Sequence, residues 1–70
     1  MAVINPAELV IRRFGGVRAA ARIIGRDPSA ICRWRQRKRV PSSAQRQVMK
    51  AARFMRIPLT AEELIYGGHR

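Results

Sequence analysis

The chain holds one cysteine, Cys32, one histidine, His69, and four carboxylates in 70 residues. A single cysteine excludes an internal disulfide and suits a reducing compartment. One histidine and the scattered acids Glu8, Asp27, Glu62 and Glu63 make neither a metal-ligand cluster nor a nucleophile–base pair. Neither enzyme activity nor a cofactor, metal or small-molecule ligand is therefore expected. Apolar runs stop after a few residues, which excludes a helical membrane span. The stretch Met1 to Asn5 lacks the charged start and long apolar core of a signal peptide, so a cytoplasmic protein is expected. Strand-period alternation, internal repeats and low-complexity tracts are missing too. What remains is one domain spanning residues 1–70. At that length folding buries only roughly 60% of the unfolded chain's surface.

What the chain has in excess is positive charge. Fifteen Lys and Arg against four acids give a formal net charge of +11, and thirteen of the fifteen are arginine. Arginine stays charged at any physiological pH, and its planar fork matches phosphate oxygens and the guanine edge. At this density on so small a domain, the charge points to a polyanion rather than to a merely solvated surface.

Helix punctuation divides the chain into five short segments. Asn5 and Pro6 read as an N-cap and first helical residue, with Glu8 three residues after the cap. Ala7, Val10, Ile11 and Phe14 follow at helical spacing as a core face, and Gly15-Gly16 stops the helix. A second helix is expected over Val17 to Ile24, with Val17, Ala20, Ala21 and Ile24 buried and Arg18, Arg22 and Arg26 in a row on another side. Asp27 and Pro28 open a third helix that runs to Arg37. After a connector, Lys38 to Pro41, a fourth helix starts at Ser42 or Ser43, where Ser42 and Gln45 have capping-box spacing. Its apolar stripe is Ala44, Val48, Ala51, Ala52 and Met55, with Arg46, Lys50 and Arg53 opposite. Met49 and Phe54 fit neither face. Pro58 breaks the pattern, and Thr60 with Glu63 makes a capping box for a last helix ending at Gly67. The expected fold class is all-α.

The most informative spacing is A-x3-G-x5-I-x2-W, carried by Ala21, Gly25, Ile31 and Trp34 and followed by a basic run. It fits two helices meeting at a glycine corner, the helix-turn-helix, here over about 17–37. Ala21 must be small where the second helix crosses the first. Gly25 supplies the positive φ that ends a helix in a tight turn. Ile31 and Trp34, three apart, both turn inward. The alternative for Trp34 is an exposed platform that stacks on single-stranded bases. The outward set is then Ser29, Cys32, Arg33, Gln36 and Arg37. The row Arg18, Arg22 and Arg26, beside such a helix, is placed to face backbone phosphates.

With Gly25-Arg26-Asp27-Pro28-Ser29-Ala30-Ile31-Cys32-Arg33-Trp34 and then Arg39-Val40-Pro41 before a new helix, the chain resembles the Cro and lambda-repressor-like DNA-binding domains. Small Cro-type regulators of phages and prophages are similar in outline, and the resemblance covers roughly Val10 to Gly67. It implies a compact five-helix domain acting as a homodimer on a short operator in double-stranded DNA, within a bacterial cell and its nucleoid. Carried over by position, Pro28, Ser29, Cys32, Arg33 and Gln36 match the places that face base edges. Of these, Arg33 can bond guanine O6 and N7 together. Val17 matches the helix start whose backbone N–H meets a phosphate. Lys38, Arg39 and Arg46 match the loop and following helix that grip the backbone, and Arg18, Arg22 and Arg37 complete the expected phosphate contacts. Candidates for the dimer contact are Phe54, Ile57, Leu59 and Ile65.

Two residues depart from the family pattern. Arg26 stands where an apolar residue is usual, which implies a more open turn or an arginine that snorkels outward. Pro28 replaces a polar residue that often contacts a base, and removes that contact. Cys32 reads as a small packing residue, with a redox switch as its alternative.

The sequence thus favours a sequence-specific DNA-binding repressor with no room for an effector pocket. Two alternatives share its charge. Arg33 to Arg39, with five basic residues in seven, would also serve a non-specific architectural nucleic-acid binder. An RNA-binding module or the DNA-binding antitoxin of a toxin pair is the other, although only Gly68, His69 and Arg70 follow Gly67 to serve as a partner-binding tail.

Overall fold

The computed structural model describes the backbone of residues 3–69 and the side chains of residues 4–68. Met1, Ala2 and Arg70, on which the expected lack of a leader and of a tail partly rests, lie outside the described residues. Five helices follow one another: α1 (Pro6–Phe14), α2 (Val17–Ile24), α3 (Pro28–Arg37), α4 (Ser42–Phe54) and α5 (Ala61–Tyr66). The all-α expectation holds. One addition escaped it: Val3–Ile4 (β1) pairs antiparallel with Gly68–His69 (β2), with Ile4 opposite Gly68. Two residues per strand are too few to show a period of two.

The core forms where the helical stripes meet. Ala7, Val10, Ile11 and Phe14 of α1, Ala20, Ala21 and Ile24 of α2, Ile31 and Trp34 of α3, Ala44, Val48 and Ala52 of α4 and Leu64 of α5 form one buried cluster. Ile31 and Val10 are fully enclosed, and burial of such side chains stabilises the fold by roughly 1.5–3 kcal/mol each. Trp34 is 5% exposed, so its indole packs in the core and is not a stacking platform. Val17, expected in this stripe, is only half-buried against the cluster's edge.

Backbone geometry at the helix ends explains the turns. Gly25 adopts φ +84°, and both its own N–H and that of Arg26 donate to the Ala21 carbonyl, at 2.8 and 2.9 Å. Those bonds close a Schellman-type turn, which needs a left-handed residue where glycine stands. At the end of α3 the same turn is closed by Lys38 at φ 61°, with Arg39 N–H donating to the Trp34 carbonyl at 3.2 Å. At the end of α4, Arg56 takes φ 55° and Ile57 N–H donates to the Ala52 carbonyl at 2.8 Å.

That last turn corrects two sequence expectations. The chain leaves α4 after Phe54, so Met55 is not the end of the buried stripe; it is 48% exposed, and Ile57 packs back on the core in its place. The capping box at Ser42 and Gln45 does not form either. Pro41 is the N-cap, which puts Gln45 one residue out of register, and its amide donates to the Val40 carbonyl at 3.3 Å instead. The N-cap at Asn5 and the capping box at Thr60 do form. The Asn5 Oδ1 accepts from Glu8 N–H at 2.9 Å, and Thr60 and Glu63 cap each other reciprocally.

Candidate nucleic-acid interface

α3 sets the geometry of the candidate site. Ile31 and Trp34 fix its inner face, and a helix so anchored must turn its remaining rows outward. Two adjacent rows stand there at i, i+4 and i+8: Pro28, Cys32 and Gln36 in one, Ser29, Arg33 and Arg37 in the other. All are exposed except Cys32, which is half-buried. The five residues expected to face base edges therefore lie side by side on one surface. Arg35, which the sequence reading passed over, is exposed as well.

The flanking arginines come from both neighbours of α3. Arg18 and Arg22 are exposed, one turn apart on α2. Beyond α3, Val40 is 3% exposed and pins the connector to the core, while Lys38 and Arg39 project beside it. Arg37, Arg39 and Ser42 meet at an open groove of about 350 Å³ whose floor includes Trp34, Val40 and Leu64. Arg46 is exposed one turn into α4. Val17 presents its N–H as the first residue of α2, behind Gly16, with its side chain against the core.

Helix starts sort by element. α1 and α5 begin with side-chain caps, whereas α2, α3 and α4 begin at Gly16, Asp27 and Pro41 with none. The N–H groups left free in the first turns of α2, α3 and α4 thus keep their donor capacity and their partial positive charge. Pro28 has no N–H to offer, and Ala30 and Ala44 N–H donate to the Asp27 and Pro41 carbonyls at 3.0 and 2.9 Å. Asp27 occupies the expected N-cap position, but its carboxylate does not bond the first turn.

Ion pairs sort the same way. Among the described residues, carboxylates pair with Arg12, to Glu8 at 3.4 Å, and with Arg13, to Glu63 at 2.6 Å. Both lie on α1 and α5. No arginine of α2, α3 or the connector has a carboxylate within ion-pair distance among the described residues.

Arg26, the departure from the family pattern, is exposed and turned toward α4. Its Nε donates to Gln47 Oε1 at 3.1 Å, while Gln47 Nε2 donates to the Ile24 carbonyl at 2.9 Å. One glutamine thereby satisfies an orphan carbonyl at the end of α2 and ties the α2–α3 turn to α4. Arg26 does not continue the phosphate-facing row as expected. Sequence reasoning missed Gln47, and the unusual arginine at position 26 was the only signal that the turn needed a polar partner.

Among the described residues no cluster of His, Cys, Asp and Glu is placed to hold a metal, and no helix is long and apolar enough to cross a membrane. Compared with family models, with curated proteins and with solved structures, the chain matches none.

Proposed function

We propose that the chain binds double-stranded DNA sequence-specifically, laying α3 in the major groove as the second helix of a helix-turn-helix, and acts in the cytoplasm as a Cro-type repressor working as a homodimer. The observation that carries this reading is the distribution of charge. Unpaired arginines crowd α2, α3 and the connector, while Glu8 and Glu63 are paired on α1 and α5, Glu62 lies on α5, and Asp27, at the N-cap of α3, is within ion-pair distance of no arginine among the described residues. Arg33, with Ser29 and Gln36 beside it, supplies base-edge donors. Arg18, Arg22, Arg37, Lys38, Arg39 and Arg46, with the uncapped helix starts, supply phosphate contacts that set register.

The same charge also favours a second reading, a non-specific coating protein held by counterion release alone. One experiment separates them: selection from a randomised duplex pool at near-physiological salt, with sequencing of the bound fraction. Enrichment of an inverted repeat with half-sites about one helical turn apart supports the dimeric repressor. Retention without enrichment refutes it and leaves the architectural binder.

A further inference from the structure

A second surface lies on the C-terminal end of α2 and the C-terminal half of α4, and it shares no residue with the candidate DNA interface. On α4, Gln47, Lys50, Ala51 and Phe54 recur at i, i+3, i+4 and i+7 and so form one stripe. With Ile23 and Ile24 of α2 they line an open groove of about 360 Å³. Its floor is apolar, and Phe54 stands at its lip 86% exposed. A lone exposed apolar side chain is ordinary in a soluble domain, whereas an exposed aromatic beside an apolar groove is a contact surface. The rim is cationic. Lys50 is exposed, and Arg26 is held at the groove by its 3.1 Å bond to Gln47. None of the four carboxylates lines it.

We propose that this groove docks an acidic amphipathic helix of another protein, with a large apolar side chain against Phe54 and carboxylates facing Lys50 and Arg26. Charge selects this occupant. A second copy in two-fold contact at this groove would bring Lys50 and Arg26 of both chains into one interface whose lining offers no carboxylate to either. A nucleic acid would answer the cations but leave Phe54 and Ile23 without apolar cover. A helix with an apolar stripe and an acidic border answers both, in the helix-in-groove mode. The aromatic anchor supplies affinity, and the rim charges raise the association rate and exclude basic partners. The proposal stands whether or not α3 meets DNA.

The test uses the whole chain and two labelled probe peptides of about 16 residues, both built from Leu, Glu and Ala in one composition. One places its leucines at i, i+3, i+4 and i+7; the other scatters them. At near-physiological salt the striped peptide should bind at least roughly tenfold tighter and shift the amide resonances of Ile23, Lys50, Ala51 and Phe54. Phe54→Ala should remove most of that preference, and Lys50→Glu should weaken the striped peptide and reduce its salt dependence. Both side chains are exposed, so unchanged helical circular dichroism is expected. Equal binding of the two peptides, shifts confined to α3, or indifference to Phe54→Ala overturns the proposal. So does self-association of the free chain that Phe54→Ala abolishes, which would assign the groove to a second copy.

Discussion

Replacing Glu63 by glutamine should weaken the fold at neutral pH and leave it unchanged in strong acid. Glu63 is the hub that fastens α5 to α1. Its two oxygens accept from Arg13 Nη1 and Nη2 at 2.7 and 2.6 Å, and Oε1 also accepts from Thr60 N–H at 3.0 Å. Arg13 Nη1 donates further to the Pro58 carbonyl at 2.7 Å, so the same guanidinium holds the α4–α5 loop. The Arg13 hydrogen bonds, supported by those from Thr60, lower the Glu63 carboxyl from its ordinary 4.5 to about 2. At 1.36 kcal/mol per tenfold change in protonation, that difference sets a ceiling of roughly 3 kcal/mol. About a quarter of each side chain still meets solvent, at 24% for Glu63 and 28% for Arg13, and screening brings the value down to about 1 kcal/mol. The sign follows from the direction of the shift. The unfolded chain takes up this proton first, so the contribution is complete above about 4.5 and is lost as pH falls through the window down to about 2. Urea unfolding of both proteins, followed by circular dichroism from pH 7 to pH 2, should show a gap of about 1 kcal/mol that closes across that window, equivalent to roughly 4–8 °C in Tm for a domain of this size. A gap that is absent at pH 7, or one that persists unchanged at pH 2, would mean that the Arg13–Glu63 pair does not carry this stability. In the Arg13→Gln variant the Glu63 carboxyl, followed by NMR, should titrate nearer 4.5 without reaching it, because Thr60 still donates.

Four further outcomes are expected. Arg33→Ala should cost about 1–3 kcal/mol on the selected DNA site and relax preference at one base pair, whereas Arg39→Ala should weaken all duplexes alike and flatten the salt dependence by roughly one unit of slope; equal losses on site and random DNA from Arg33→Ala would remove it from base reading. Lys38→Gly should raise stability by about 1 kcal/mol, since φ 61° strains a residue with a Cβ, and yet lower DNA affinity by removing a cation; denaturant midpoints and binding isotherms read the two effects separately. Gly67→Ala should destabilise by more than about 1 kcal/mol: glycine there has φ +84°, and a Cβ would collide with the Ile4 carbonyl oxygen and press on Asn5 at 3.1 Å, a cost thermal unfolding would register. Gln47→Ala should cost about 1 kcal/mol through the freed Ile24 carbonyl, and should lower selected-site affinity more than random-duplex affinity if the α2–α3 turn orients α3.

Local punctuation made most of the fold legible. Asn5-Pro6, Gly15-Gly16, Gly25, Asp27-Pro28 and Thr60 with Glu63 each act within a few residues, so the sequence displays cause and effect together. The apolar stripes were equally readable because helical period decides which side chains share a face. Failures came where the decisive partner is distant. Arg13 and Glu63 lie fifty residues apart, and nothing in the spacing joins them. Gln47 reaches the α2 terminus across 23 residues. Met55 fitted the period but stands past the end of its helix, because Arg56 accepts a left-handed conformation that its residue type does not advertise. The two outward rows of α3 were legible because Ile31 and Trp34 fix the inward side. The docking groove was not, since it needs Ile23 and Ile24 of one helix beside Phe54 of another.

Stability and charge are divided between the two halves of the fold in a way that bears on function. α1 and α5 hold the side-chain caps, each contributing about 1 kcal/mol, and every ion pair among the described residues. α2, α3 and α4 begin without a side-chain cap, and α3 ends on a strained Lys38. Gly16 and Pro41 bring no side-chain acceptor to a first turn, and the one carboxylate at hand, Asp27, makes no bond to the start of α3, where Ala30 N–H donates to the Asp27 backbone carbonyl at 3.0 Å. The first-turn N–H groups that stay free and the unpaired arginines around them are groups of one sign on one set of elements. An anion that approached them would find donors already oriented by buried residues, Ile31 and Trp34 on α3 and Val40 in the connector, with no internal ion pair to break first.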